Sequence, residues 1–338
     1  MEVLPYDSDV ERATSHIYPD VEKFVTPEEW RLYAPYIYRI NRLKDERDAV
    51  VLAHNYQPVE VYHGVADRTG SSLELARMAR ETDAETVVLC GVEFMAETAK
   101  LMNPNRRVVL PADDAGCSLA ESISADDVEQ LRSEYPGVPV VTYVNTSAAV
   151  KAASDVCCTS SNAVEIVDAV ADDRAILIPD EYLASHVAAH TDVELVEWEG
   201  TCVVHEEFTV SDIDSLRRQY PGIAVAAHPE CSPEVQREAD VVGSTSSLID
   251  FVDEHEPDRV ALVTECTMSD NISVRFSDTE FLQPCSLCPY MKEVTLEGVL
   301  EALRGAGTPI EIDEDVARRA RESVERMFEI SGQSKAEG

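Results

Sequence analysis

The sequence predicts an α/β protein of three repeated units with parallel sheets. Three observations predict it: a motif that recurs at an offset of 85 residues, an apolar β-branched run at the opening of each unit, and helical patterns alternating with further short apolar runs. Strands that alternate with helices form parallel layers joined by right-handed crossovers.

The repeat is clearest where Leu131–Gly137 (LRSEYPG) recurs as Leu216–Gly222 (LRRQYPG). One cysteine follows the same spacing. Cys117 and Cys202 are 85 residues apart, Cys288 follows after 86, and each is trailed at 11 residues by an aliphatic one, Val128, Ile213 or Val299. Leu303-Arg304 is a fainter third echo. The expected organisation is a helical segment over 1–47, repeats over 48–137, 138–222 and 223–305, and a C-terminal segment over 306–338.

Each unit opens with a run that reads as a buried strand: Val50–Ala53, Val140–Thr142 and Ile223–Ala227. The residues that follow are polar or mixed: His54-Asn55-Tyr56, Tyr143-Val144-Asn145 and His228-Pro229-Glu230. Further strands are expected at Thr86–Leu89, Val108–Leu110, Ile176–Ile178 and Val260–Val263. Ligands of open parallel sheets sit outside the carboxyl ends of strands, so the three triplets fall on the ligand side. Hydroxyl clusters stand near helix starts at Gly70-Ser71-Ser72, Thr159-Ser160-Ser161-Asn162 and Ser244-Thr245-Ser246. One such cluster is an ordinary helix cap; three at comparable places suggest an anion site.

The chain has 338 residues, 65 acidic and 28 basic, for a formal charge of −37 spread along its length. This excess disfavours nucleic acid or an anionic membrane as a partner. Lysine is scarce, so arginine supplies most positive charge, a balance expected of proteins in concentrated salt. At 1 M the Debye length shrinks to roughly 3 Å and self-repulsion is screened. A halophilic, cytoplasmic enzyme is therefore expected, because residues 1–20 lack a signal-peptide layout and no apolar run reaches membrane length.

Nine cysteines in such a compartment are not expected to form a disulfide framework. Cys117, Cys202 and Cys288, one per unit, could converge as three thiolates on a metal centre, and all-thiolate ligation selects iron–sulfur clusters, zinc or cuprous copper. A three-cysteine cubane leaves one iron open as a Lewis acid. Cys285 and Cys288 form a lone C-x-x-C pair, which leaves half a zinc site or a redox pair as the competing reading. Cys90, Cys157, Cys158 and Cys266 read as packing residues, and Cys231 as a residue lining the site. Two other readings of the chain stand beside the first: a different open-iron hydro-lyase of the aconitase type, and a non-enzymatic iron–sulfur sensor. No basic patch or helix-turn-helix pattern supports the sensor.

Residues 53–61 (AHNYQPVEV), 91–104 (GVEFMAETAKLMNP), 110–120 (LPADDAGCSLA), 143–156 (YVNTSAAVKAASDV), 200–209 (GTCVVHEEFT), 228–240 (HPECSPEVQREAD) and 288–303 (CPYMKEVTLEGVLEAL) resemble, in order and spacing, the quinolinate synthases. The resemblance covers about residues 40–330. It implies three pseudo-symmetric three-layer α/β/α domains around a central [4Fe-4S] cluster ligated by Cys117, Cys202 and Cys288. It further implies condensation of iminoaspartate (iminosuccinate) with dihydroxyacetone phosphate to quinolinate in NAD biosynthesis. An L-aspartate-oxidising enzyme would supply the first substrate.

Substrate contacts implied by the resemblance fall on His54, Tyr56, Ser72, Tyr143, Val144, Asn145, Ser160, His205, His228, Pro229, Glu230 and Thr245. Glu230, with His228, Tyr143 and Tyr56, is the expected proton-transfer group. The family commonly has Gly-Asp-Ser where this chain has Gly70-Ser71-Ser72. Ser72 is taken as the counterpart because it precedes LELAR, with Ser71 in reserve.

Overall fold

The structure, a computed structural model, describes residues 4–282 and 284–333. The outermost limits of the expected terminal segments, residues 1 and 338, lie outside the described residues. Among the described residues there are thirteen strands: β1 Ala49–His54, β2 Arg68–Gly70, β3 Thr86–Cys90, β4 Arg107–Leu110, β5 Val140–Tyr143, β6 Val156–Cys158, β7 Arg174–Ile178, β8 Glu194–Glu197, β9 Ala224–Ala227, β10 Val241–Val242, β11 Arg259–Val263, β12 Glu280–Leu282 and β13 Thr308–Pro309. They form three sheets with orders β2-β1-β3-β4, β6-β5-β7-β8 and β10-β9-β11-β12, the first extended by β13 beside β4. Every pairing is parallel except that of β13 with β4.

The same order, second-first-third-fourth, therefore occurs three times, which is the expected parallel α/β class. β2, β8, β10 and β12 are short, and their residues are mostly exposed or half-buried, so they lack the apolar run that exposes a strand to sequence reading. With β2 recognised, each hydroxyl cluster follows the second strand of its sheet.

The spacing of the cysteines now has a local cause. Seven residues after Cys117, Cys202 and Cys288, the hydroxyls of Ser124, Thr209 and Thr295 cap the helices Ala125–Glu134, Val210–Gln219 and Leu296–Arg304. Val128, Ile213 and Val299 are the fully buried anchors of these helices. Removing such a side chain costs roughly 1–5 kcal/mol, enough to hold the helix phase at that position. Each helix is followed by a left-handed glycine, Gly137 at φ +83°, Gly222 at +85° and Gly305 at +100°. That conformation is strained for other residues, so the YPG echo, and Gly305 after Leu303-Arg304, mark helix ends.

The chain divides into two compact units. Among the described residues, unit 1 falls within 1–115, 266–277 and 287–311, and unit 2 within 116–265, 278–286 and 312–338. In unit 1, Trp30, Tyr36, Ile37 and Ile40 of the helix Pro27–Glu46 are buried with Val51, Val88 and Val109 of the sheet and with Val299, Leu300 and Leu303. In unit 2, Val140, Ile176 and Ile178 of the second sheet pack with Ile123, Val128 and Val150. Among the described residues, no helix is long and apolar enough to cross a membrane.

Candidate active site

Unit 2 brings the carboxyl ends of β5, β6, β9 and β11 to one group of buried polar side chains. Tyr143 is the last residue of β5, and the turn after it is fixed by Thr146 Oγ1 donating to Tyr143 O at 2.9 Å and Val144 N donating to Cys158 O at 2.9 Å. His228 follows β9, its N–H donating to Val263 O of β11 at 3.2 Å. These strand ends present Tyr143, Asn145, His228 and Glu230.

Glu230 is the hub, and only 3% exposed. Its Oε1 accepts from Tyr143 Oη at 2.6 Å and from Asn145 Nδ2 at 3.3 Å, while Oε2 lies 2.8 Å from His205 Nδ1. Burial alone would raise its pKa, but the rings of His228 and His205, with the bonds from His205 and Tyr143, hold it well below the usual carboxylate range. Tyr143 moves the opposite way, pushed up by burial and then by the charge of Glu230. At neutral pH the pair is thus a carboxylate accepting from a neutral phenol.

The two histidines stack with ring centroids 4.6 Å apart. Glu230 N donates to His228 Nδ1 at 3.3 Å, and His228 Nε2 lies 3.4 Å from Ser160 Oγ. His205 Nε2 lies 3.0 Å from Thr264 Oγ1, so that ring is fixed at both nitrogens. Asn145 Oδ1 is buried without a protein partner, an acceptor left over after its amide group serves Glu230.

Cys202 joins this group, its Sγ 3.2 Å from His205 Nδ1. The ligating atoms of Cys202, His205 and Glu230 all lie within 4.8 Å of one another, a candidate metal site. Ser118, next to Cys117, donates to Thr201 O at 3.1 Å and accepts from Val203 N at 3.2 Å, stapling the Cys117 segment to both sides of Cys202. Burial, then the charges of Glu230 and Cys117, push the Cys202 thiol well up. A Cys202 thiol whose ionisation is disfavoured by burial and by the neighbouring Glu230 and Cys117 charges belongs to a donor set that a bound cationic centre would stabilise. Neither thiol is in a disulfide, so the residues fit thiolate ligation.

The remaining expected residues are placed as follows. Thr245 is buried and opens the helix Thr245–His255, with Ser244 as its cap. Val144 and Pro229 shape their turns through backbone groups. In unit 1, Tyr56 N donates to His54 Nδ1 at 3.2 Å, the same arrangement as Glu230 and His228, and the two rings meet edge to face at 4.6 Å. Thr267 Oγ1 and Lys292 Nζ both donate to Tyr56 O, at 2.8 and 2.9 Å. Ser71 caps the helix Ser72–Glu81 in a reciprocal box with Glu74, and Ser72 occupies the first helical position. Cys288, in unit 1, is not in a disulfide, so it is not joined to Cys285. Cys90, Cys157 and Cys158 are buried free thiols, as expected of packing residues, and Cys231, expected to line the site, is also a buried free thiol, whereas Cys266 and Cys285 are disulfide-bonded. Packing therefore does not account for Cys266.

Two members of the cluster escaped sequence reading. Thr264 follows β11 and meets His205, and Asp180 follows β7. Asp180 Oδ1 caps the helix Glu181–Ala188 through Leu183 N at 2.7 Å, and its buried Oδ2 has no protein partner. Burial and then the charge of Glu230 push the Asp180 carboxyl well up. Its position after an apolar strand was the available signal.

A family model described as Quinolinate synthetase A protein matches residues 38–329. The chain belongs to the quinolinate synthase family. It is 54% identical to Quinolinate synthase 1 of Mesorhizobium japonicum over 94% of this chain and 98% of that one. It is 52% identical to the Quinolinate synthase of Agrobacterium fabrum over 94% and 92%. With the Quinolinate synthase of Xylella fastidiosa the identity is 54% over 87% of each. The quinolinate synthase match spans all three sheets and the whole Glu230 cluster.

Proposed function

We propose that this chain condenses iminoaspartate with dihydroxyacetone phosphate to quinolinate, with loss of phosphate and water, as a cytoplasmic step of NAD biosynthesis. An aspartate-oxidising enzyme would supply the imine. The observation that supports this reading best is the buried Glu230 carboxylate, held by Tyr143, Asn145 and His205 beside Cys202, in a chain of this family.

Because Glu230 is ionised and Tyr143 neutral, Glu230 enters the reaction as a base and the phenol as a donor. Glu230 removes a carbon-bound proton of the triose. Tyr143 and the Nε2–H of His228 are assigned the return of protons as phosphate and water leave. Tyr56 is assigned a matching role in unit 1. Both substrates are anions, and we assign their carboxylates and phosphate to Ser72, Ser160, Thr245 and His54, with Asn145 Oδ1 as acceptor for a substrate N–H or O–H. Helix starts and hydroxyls suit that task in a protein poor in lysine. Val144 and Pro229 contribute backbone shape.

Cys117, Cys202 and Cys288 would hold a [4Fe-4S] cluster. Bound there, it would supply Lewis acidity toward a substrate oxygen. Every other step falls to side chains, and the overall conversion requires no oxidant. The test is quinolinate formation from the two substrates by protein purified without oxygen, with iron and sulfide measured on the same sample. Iron-replete protein that dehydrates other hydroxyacids but forms no quinolinate would overturn the proposal. We also read the −37 charge as an adaptation to concentrated salt. Circular dichroism melts should then rise from low to molar salt, and equal melts would remove that reading.

A further inference from the structure

The turn that presents Glu230 is held from behind by one side chain. Gln236, half-buried on the helix Pro233–Glu238, donates through Nε2 to Pro229 O at 2.8 Å and to Cys231 O at 2.7 Å. These are the carbonyls on either side of Glu230. A third, longer contact reaches Tyr182 O at 3.4 Å, in the helix that Asp180 caps. Three carbonyl oxygens can face only the NH2 end of a carboxamide, so Gln236 Oε1 must point the other way. There it meets His186 Nδ1 at 3.0 Å. Since Oε1 only accepts, His186 Nδ1 carries the proton, and the ring in turn fixes the amide against a flip.

We propose that Gln236, oriented by His186, is a positioning residue for Glu230: it clamps the two peptide carbonyls flanking the carboxylate and so aims it at Tyr143, Asn145 and His205. The inference rests on the catalytic reading of Glu230. Besides Gln236, Cys231 Sγ ties the turn to β11 by donating to Val263 O at 3.4 Å. Pro229 offers no N–H, and the N–H groups of Glu230 and Cys231 are spent on His228 Nδ1 and His228 O. Pro229 and Cys231 are themselves buried, so carbonyls released by Gln236 would seek new partners and move the turn. Burial lowers the pKa of His186, which keeps the ring neutral and its Nδ1–H defined. An error of about 1 Å in a catalytic group costs up to roughly 10²-fold in rate, so the clamp should be read out in turnover.

The test is steady-state kinetics of the anaerobic holoenzyme. Gln236→Leu should lower kcat by about tenfold or more with KM changed less than about threefold and iron content kept. His186→Leu should lower kcat in the same sense, and His186→Asn, whose amide N–H replaces Nδ1–H, should restore it. In a Glu230→Gln background, adding Gln236→Leu should cost less than about twofold further, because the clamp acts through Glu230. A merely structural role predicts the full loss again in that background and no rescue by His186→Asn. If Gln236→Leu fails to fold, the His186 pair and its rescue decide. Unchanged kcat in Gln236→Leu, with Glu230→Gln inactive, overturns the clamp alone; unchanged kcat in Glu230→Gln overturns the reading beneath it.

Discussion

Tyr143 Oη donates to Glu230 Oε1 at 2.6 Å, joining the end of β5 to the turn after β9 through two buried side chains. A hydrogen bond to a charged group is worth roughly 1.5–3 kcal/mol, so this bond favours the ionised form of the carboxylate. Tyr143→Phe removes one of three donors and a proton source while His205 and Asn145 stay in place. Turnover should fall about 10- to 100-fold with the fold retained, measured by steady-state kinetics beside a thermal melt. A loss of less than twofold would show that the phenol only packs.

Asp180 gives a pH signature of opposite sign to Glu230. Its folded pKa is raised, so the native state keeps a proton that the unfolded chain loses above the ordinary carboxylate range. Its contribution to stability is intact below that range and declines as pH rises through it. Asp180→Asn keeps the capping oxygen and cannot ionise. Urea unfolding between pH 4 and 8 should show the variant gaining stability relative to wild type as pH rises; a parallel pair of curves would mean that Asp180 is ionised in the native state.

Ser71 and Ser72 are adjacent, yet the structure gives them different tasks. Ser71→Ala removes a capping hydroxyl and should cost about 1 kcal/mol of stability with substrate affinity unchanged. Ser72→Ala should weaken substrate affinity and leave stability near wild type. Calorimetric binding of a substrate dicarboxylate, with melts on the same samples, separates them. The reverse pattern would move the anion contact to Ser71.

These assignments show what the sequence could disclose. The polar residues after apolar runs, the cysteine spacing and the YPG echoes are local signals, and each marks a strand end, a capped helix or a left-handed glycine in the structure. The role of Asp180, Thr264 and Gln236 depends on which strand ends meet across two sheets, and no local period encodes that. β2 and β8 were missed for a related reason: lying at sheet edges with few buried side chains, they need no apolar run. Cys266 read as a packing residue because the end of an apolar strand looks the same whether or not the thiol is bonded.

The cysteine assignment is separable from the acid–base one. Replacing Cys117, Cys202 or Cys288 by Ser should each abolish most bound iron and sulfide in protein handled without oxygen, since a cubane on two thiolates is poorly held. Cys157→Ser and Cys231→Ser should keep near-full iron, and so should Cys285→Ser. Iron lost from Cys285→Ser as completely as from Cys288→Ser would favour the C-x-x-C pair instead.

The central claim is that Glu230, held ionised at the meeting of two sheets, moves the proton that commits iminoaspartate and dihydroxyacetone phosphate to quinolinate. The most direct measurement is quinolinate released per chain by iron-replete wild type and Glu230→Gln, mixed with both substrates without oxygen. The account predicts repeated turnover by wild type and a loss of about 10²-fold or more in the variant at equal iron content. Equal product from the two proteins, or none from iron-replete wild type, would contradict it.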